Sequence, residues 1–524
     1  MTTNSRPSLA APTSVADLFA PVLAEDPARE ALVTRSGHLS YAELDRLADR
    51  ACAALWSLGV RPGDRMAVAL PNDTDIVVAF HGAMRLGAVW VGVNRNLAPP
   101  EMAYLMQDSA TSLMLCDGDT DGRLSAVGRD SMRRVVVGAS GEWVDAIRDA
   151  GLVESPPVDP HAPAALAYTS GTTGHPKGAV HSQYNLLTPG AALVASRGYD
   201  ARLRKGDCFP LTVLNLQVLT TLLVSQAGGC SVIMDRIDAR GVADWIRREA
   251  VTTWNGPPAL LHSLVDDDDV SSDDLASLDE VWTGGADCPE SLRDRFAVKF
   301  GTPVLATYGL SEAPSVVTID GRDAEHRTGA SGRPLPHLAV QILDDTGACV
   351  APGRSGEICV GPTVDGAWAG RYRTMLGYAD RPEASATALA GGLLHTGDIG
   401  QLDEDGFLHV RDRKSLVIIR GGANVYPAEV ERVLGAAPGV AACAVLGVPD
   451  ERLGQRVVAV IEPQPGVDID VSSVEDHCRR NLARYKVPER FTVVARLPRN
   501  AMGKIQRTDL AEALLRSSAD LPQG

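Results

Sequence analysis

Short apolar runs alternate with amphipathic segments along most of this chain, and that alternation restricts it to an α/β class of layered strands and helices. Residues 164–168, 231–234, 280–283 and 303–307 have the length and composition of buried strands. Between the last two runs, Leu292, Phe296 and Phe300 recur at four-residue spacing, which draws one apolar face along a helix over 291–300. Residues 208–234 carry no charge over a length that could span a bilayer. Pro210, Asn215, Gln217 and Gly228-Gly229 interrupt that stretch, so it reads as a buried helix and strand of the α/β core, and no transmembrane segment is expected.

The pattern changes after about residue 410. A short strand is expected over 416–419, with Gly421-Gly422 turning the chain and Pro427 well suited to open a helix through 434. Residues 442–448, 456–461 and 491–494 read as further strands. Ser472, three residues before Glu475, has the spacing of a capping box for a helix through 482. A compact α+β unit of roughly 110 residues follows, an ordinary domain size. At 524 residues the whole chain has room for that unit and a much larger one.

Composition excludes several function classes. Fifty basic residues stand against 66 acidic ones, a net charge of -16, which disfavours nucleic acid or an anionic membrane as a main partner. The nine cysteines are scattered, without a CxxC pair or a histidine cluster at zinc spacing, so a reducing cytoplasm and no structural metal are expected. The acidic run at 266–269 lacks the alternation and glycine of a calcium loop and reads as a solvated connector.

The segment richest in chemistry is Tyr168-Thr-Ser-Gly-Thr-Thr-Gly-His-Pro-Lys-Gly178, directly after an expected strand. Gly171, Gly174 and Gly178 let main-chain NH groups turn inward, Thr169, Ser170, Thr172 and Thr173 add hydroxyl donors, and Lys177 adds a positive charge. Such a loop suits a phosphate group. It is not the Walker sequence, because Pro176 stands where that motif has glycine. No two glycines anywhere are separated by a single residue, so a dinucleotide fingerprint is missing, and no GxSxG elbow marks a hydrolase.

Residues 169–178 resemble the signature loop of the adenylate-forming superfamily, which includes acyl- and aryl-CoA ligases, peptide-synthetase adenylation domains and luciferases. The resemblance runs from Leu39-Ser-Tyr-Ala-Glu-Leu44 to Gly503-Lys504 with its motifs in order. It implies that Thr283, Gly284, Gly285 and Ala286 lie along adenine, beside Thr307, and that Tyr308, Gly309, Leu310, Ser311 and Glu312 form the motif whose aromatic stacks on the base and whose glutamate holds Mg2+. Asp398, within His395-Thr-Gly-Asp398, would accept hydrogen bonds from the ribose, and Arg413 would also reach the nucleotide. Gly421 and Gly422 would line the path of coenzyme A, and Lys504 would contact the substrate carboxylate and the α-phosphate. Lys504, Glu312 and Lys177 are thereby expected to be catalytic.

The sequence departs from the family pattern at three places. Thr212-Val213 follows Pro210-Leu211 where many members carry an aromatic residue and histidine at the acyl entrance. Ser415 occupies the hinge position usually held by aspartate or lysine, and the stretch between Pro362 and Tyr378 is several residues longer than usual. No aspartate occurs over 209–226, which disfavours amino-acid substrates. Val213, Asn215, Leu216 and Leu310 are expected on the walls of a mostly apolar acyl pocket.

The resemblance therefore implies an AMP-forming acyl-CoA ligase for a hydrophobic acid, with ATP, Mg2+ and coenzyme A. A large domain over 1–412, a hinge at 413–415 and a small mobile domain over 416–524 are expected. The alternatives are an enzyme of one half-reaction, one that loads a separate carrier protein, and a luciferase-like oxidoreductase.

Overall fold

A computed structural model describes residues 14–126, 132–151, 157–169, 176–284, 288–322, 326–413, 416–420, 423–450, 453–499, 505–507, 509–511 and 514. The chain divides into two compact units. The first comprises Met1–Gln341, Cys359–Thr396 and Gly406–Leu408, and the second Ile342–Ile358, Gly397–Asp405 and His409–Gly524. No described helix is long and apolar enough to cross a membrane.

The first unit is built on two large sheets, as the alternation of runs predicts. One has nine strands in the order Arg333–Pro334, Ser315–Ile319, Val304–Leu310, Glu280–Gly284, Thr253–Asn255, Arg204–Asp207, Cys230–Ile233, Glu30–Thr34 and Gly37–Ser40. The other has seven, in the order Gly377–Tyr378, Lys177–Ser182, Pro163–Thr169, Val89–Gly92, Arg65–Ala69, Leu113–Cys116 and Arg133–Val136. Their central strands run parallel, and those of the seven-stranded sheet, such as Leu113–Cys116, are buried apolar runs, whereas Arg204–Asp207 in the nine-stranded sheet buries Lys205 and Asp207. The helix expected over 291–300 spans Glu290–Phe300, with Leu292, Phe296 and Phe300 buried in the core as its four-residue spacing requires.

The uncharged stretch 208–234 folds as a buried helix and strand. Its helix has an irregular middle, because the Leu214–Leu216 turn passes into a π-helix over Gln217–Leu222 before α-geometry returns at Leu223–Ala227. The Thr221 hydroxyl donates to the Gln217 carbonyl at 2.9 Å within the widened turn. In the acidic run, Asp267 and Asp269 are both paired with Arg240.

The second unit holds a five-stranded sheet in which Ala423–Val425, Ile418–Arg420, Gly454–Pro463 and Val440–Asp450 follow one another and Arg490–Val493 pairs with Gly454–Pro463. Val430 and Leu434 of the Pro427–Gly435 helix and Val474 and Cys478 of the Val471–Asn481 helix close its core. Two expectations are corrected here. The strand anticipated over 416–419 starts at Ile418, where pairing with Val425 begins. The Ser472 capping box does not form: Asp470 caps the helix instead, accepting from the Ser472 amide at 3.0 Å and from its hydroxyl at 2.6 Å. A carboxylate is the stronger acceptor for helix N-terminal NH groups, so it displaces the serine inward by two positions.

Candidate functional site

The glycine- and hydroxyl-rich loop leaves one strand and re-enters the next. Pro163–Thr169 and Lys177–Ser182 pair antiparallel with Thr169 opposite Lys177, so the loop closes a hairpin. Ser170, Gly171, Thr172, Thr173 and Gly174 lie outside the described residues. The feet of the loop rest on Asp108, whose side chain is only 8% exposed, and on its neighbour Tyr104. On one side the Tyr168 hydroxyl donates to Asp108 Oδ2 at 2.9 Å, and on the other Tyr104, within reach of Asp108 Oδ1, donates to the Pro176 carbonyl at 3.1 Å. Arg381 Nη2 completes the bracket at 2.6 Å from Asp108 Oδ1. Burial, with Asp108 beside it, pushes the Tyr168 phenol well above its usual range, so it stays a donor. Gly178 serves packing as well as turning, since an added Cβ would lie 3.2 Å from Leu166 Cδ2 and from Tyr168 Cζ.

A second group forms where Glu280–Gly284 and Val304–Leu310 run parallel, Gly284 opposite Thr307. The Thr307 hydroxyl donates to the Thr283 carbonyl at 3.0 Å, and a Cβ on Gly284 would fall 2.2 Å from Thr307 Oγ1, which explains the glycine. Gly285 and Ala286 lie outside the described residues. Gly309 is required for a similar reason, because its Cβ would stand 1.9 Å from the Ser315 carbonyl oxygen. Ser315, at φ +97°, holds a backbone conformation that side chains rarely adopt, beside a register shift between Tyr308 and Gly309. Tyr308 and Leu310 are buried.

Ser311 and Glu312 follow this strand and are held from two directions. His181 Nε2 donates to the Ser311 carbonyl at 2.7 Å, and burial brings that imidazole down to about 4, so it is neutral. The Met375 amide donates to the Glu312 carbonyl at 3.1 Å and the Tyr378 hydroxyl to Glu312 Oε1 at 2.8 Å. The Lys177 ammonium lies 5.4 Å from the Tyr378 ring centroid, so Lys177 and Glu312, far apart in sequence, share one tyrosine. Among the described residues no cation pairs with Glu312. A carboxylate without such a partner, near a phosphate-type loop, is the hard-oxygen donor that suits Mg2+.

The expected acyl wall begins where Asn72 brackets the chain, its amide donating to the Phe209 carbonyl at 2.7 Å and its oxygen accepting from the Leu211 amide at 3.0 Å. Val213, Asn215 and Leu216 are half-buried around the buried Leu214. Gly92 permits this approach, since a Cβ there would meet the Thr212 carbonyl oxygen at 1.8 Å. Asn215 Oδ1, on the expected wall, is buried without a hydrogen-bond partner among the described residues, as are Gln217 Nε2, Thr283 Oγ1 and Ser315 Oγ.

The longer stretch before Tyr378 packs inward. Trp368, Tyr372 and Met375 are buried, and the first two rings stand edge-on to the buried His337, with centroids 6.2 and 5.3 Å away. The Arg371 carbonyl accepts from the Tyr184 hydroxyl at 2.8 Å, and the Thr374 carbonyl from the Asn185 amide, both at the start of the Gln183–Arg197 helix. Asp108, His181, Arg381 and Tyr378 were invisible as site residues in the sequence, because nothing local marks a side chain whose partner lies dozens to hundreds of residues away.

In the second unit Asp398 is buried, next to Gly397 at φ +72°, whose amide donates to Glu357 Oε1 at 3.2 Å. Asp412 is buried and accepts from the Ala428 amide at 2.7 Å, where the Pro427–Gly435 helix begins. The side chain of Arg413 and all of Ser415, Gly421, Gly422 and Lys504 lie outside the described residues.

Comparison with known proteins places these groups in a wider setting. The family described as AMP-binding enzyme matches residues 19–365, and its C-terminal domain, described as such, matches 429–504. The chain is 32% identical to the long-chain-fatty-acid–CoA ligase FadD13 of Mycobacterium tuberculosis over 90% of this chain and 93% of that protein. It is 35% identical to the feruloyl-CoA synthase of an Amycolatopsis species, again over 90% and 93%. Its structure is similar to that of ATP-bound MatB from Rhodopseudomonas palustris, with a TM-score of 0.86, 28% identity, and coverage of 95% of this chain and 98% of that one.

Proposed function

Because this chain belongs to the AMP-binding enzyme family, we propose that it is an ATP-dependent acyl-CoA ligase for a hydrophobic carboxylic acid, fatty, alicyclic or aromatic. In the first half-reaction an oxygen of the acid attacks the α-phosphorus of ATP, an acyl–phosphate bond forms and pyrophosphate leaves. In the second the thiol of coenzyme A attacks the acyl carbonyl and AMP departs. No protein nucleophile is needed; orientation and charge compensation carry the rate.

The hairpin loop from Thr169 to Lys177 holds the phosphates, with Gly284, Gly285, Ala286, Thr307 and Tyr308 along the adenine and Asp398 and Arg413 at the ribose. Mg2+, when bound, neutralises phosphate charge, and Glu312 supplies its carboxylate ligand. Lys504 compensates charge in adenylation only. The small domain then turns about Ser415 and presents Gly421 and Gly422 to the pantetheine arm. Val213, Asn215, Leu216 and Leu310 line the acyl pocket. A cytoplasmic setting is part of the same reading, on the scattered spacing of the nine cysteines.

The observation that carries this reading is the match to CoA ligases of fatty and aromatic acids over nine-tenths of the chain. Pyrophosphate release measured over a panel of acids, with and without coenzyme A, tests it. Release with a hydrophobic acid followed by CoA-dependent thioester formation is expected; an acyl-adenylate that accumulates whether or not CoA is present would overturn the ligase reading.

A further inference from the structure

Tyr378 is fixed more firmly than a loop tyrosine needs to be. It ends the Gly377–Tyr378 strand, which pairs antiparallel with Lys177–Ser182 so that Gly377 faces Val180 and Tyr378 faces Ala179. The Leu376 amide donates to the Val180 carbonyl and the Ala379 amide to the Gly178 carbonyl, each at 2.8 Å, closing the pairing on both sides of the tyrosine. The Tyr378 amide points the other way and donates to Ser385 Oγ at 2.8 Å, while that hydroxyl donates to the Arg381 carbonyl, also at 2.8 Å. Gly377, at φ +142°, makes room for this, because a Cβ there would lie 3.0 Å from Ser385 Oγ. From this fixed backbone the phenol reaches Glu312 Oε1 at 2.8 Å.

Three contacts therefore converge on one short segment: the Met375 amide on the Glu312 carbonyl, the Tyr378 hydroxyl on the Glu312 carboxylate, and the Lys177 ammonium over the Tyr378 ring. A phenol hydrogen bond to a carboxylate is charge-assisted and directional. It ties one oxygen and leaves the other to act as a single-oxygen ligand, the way Mg2+ is commonly held beside substrate phosphates. The ring face, at the same time, attracts the ammonium at the end of the phosphate hairpin.

We propose that Tyr378 is a positioning residue that sets the Glu312 carboxylate for the metal through its hydroxyl and the Lys177 ammonium for the phosphates through its ring. The assignment rests on reading Glu312 as the metal carboxylate. The two functions separate chemically: Tyr378→Phe keeps the ring and deletes the hydrogen bond, whereas Tyr378→Leu deletes both.

The test uses the full chain with Mn2+ as a paramagnetic probe, titrated by electron paramagnetic resonance in the presence of a non-hydrolysable ATP analogue, beside the magnesium dependence of pyrophosphate release. Tyr378→Phe is expected to weaken Mn2+ about tenfold, in the range seen when a hydrogen bond to a metal ligand is lost, and to raise the magnesium needed for half-maximal rate in proportion. Its affinity for the analogue without metal should match the parent, and only Tyr378→Leu should weaken that affinity. A Phe variant that binds Mn2+ like the parent overturns the proposal, provided Glu312→Gln weakens it. Should Glu312→Gln also bind Mn2+ like the parent, the reading of Glu312 as ligand is what fails.

Discussion

Asp108 illustrates how much of the site depends on side chains that do no chemistry. Its carboxylate accepts from Tyr168 and Arg381 and so holds one end of the hairpin loop from Thr169 to Lys177, while the neighbouring Tyr104 holds the other end through the Pro176 carbonyl. Replacing it by alanine removes the charge-assisted acceptor of the half-buried Tyr168 hydroxyl, leaving it only the long contact to the Leu105 carbonyl at 3.4 Å, at about 1–3 kcal/mol, and loosens the Tyr168 foot of the loop. Asp108→Ala is accordingly expected to lower the urea midpoint and to weaken ATP binding severalfold, while Asp108→Asn, which keeps an acceptor oxygen, recovers much of the stability. Denaturation and nucleotide titration of the two variants check this; an alanine variant with parental ATP affinity would show that the bracket supports only the fold. The residue scale is also where sequence reading stops short. Lys177 and Glu312 stand out by motif, but Asp108, His181 and Tyr378 acquire meaning only from their contacts.

At the scale of elements, the proposed acyl wall depends on how closely a strand end and a helix start approach. The Val89–Gly92 strand ends in a glycine against which the Thr212 carbonyl packs, just before Val213 opens the short helix and π-turn. Gly92→Ala would force a methyl group to 1.8 Å from that oxygen, so the Thr212–Leu216 segment must move. Overpacking of this kind costs about 1–3 kcal/mol or more. The variant is expected to raise the KM for the acid about tenfold or more with a much smaller change for ATP, measured by pyrophosphate release, and an equal rise for both substrates would argue against the wall assignment. The π-turn itself was not legible in advance: the hydrophobic pattern over 208–234 marks a buried helix, but one extra residue in a turn leaves the apolar character unchanged. The misplaced cap at Ser472 has a related cause, since Asp470 and Ser472 both satisfy the local rule and only the competition between them settles where the helix begins.

For the whole molecule, three buried histidines link stability of the first unit to pH. Burial brings His81 down to about 3, His181 to about 4 and His337 to about 3 from an ordinary 6.5. Each stays neutral when folded and takes up a proton when unfolded, so the stability they allow is full above about 6.5 and is lost as pH falls toward 4. The loss approaches about 1.4 kcal/mol per pH unit for each histidine. His337, whose ring nitrogens have no partner among the described residues, offers the cleanest check. His337→Phe should flatten the acid side of the stability curve by one proton, read from denaturant midpoints between pH 4.5 and 7, and an unchanged slope would contradict its neutral burial. Under the proposed domain alternation, Lys504→Ala should slow adenylation by about a hundredfold, roughly 3 kcal/mol, while sparing thioester formation from supplied acyl-adenylate; equal losses in both steps would refute it. The sequence by itself determined the α/β class, most of the strands, the place of the glycine- and hydroxyl-rich loop after its strand and the order of family motifs, because periodicity, turn chemistry and glycine spacing act over a few residues. Only the tertiary structure decided that Lys177 and Glu312 meet at one tyrosine, that Asp108 braces the loop and that Trp368 and Tyr372 pack around His337. Those are contacts between side chains distant along the chain, and their geometry exists only once the sheets have brought the strands together.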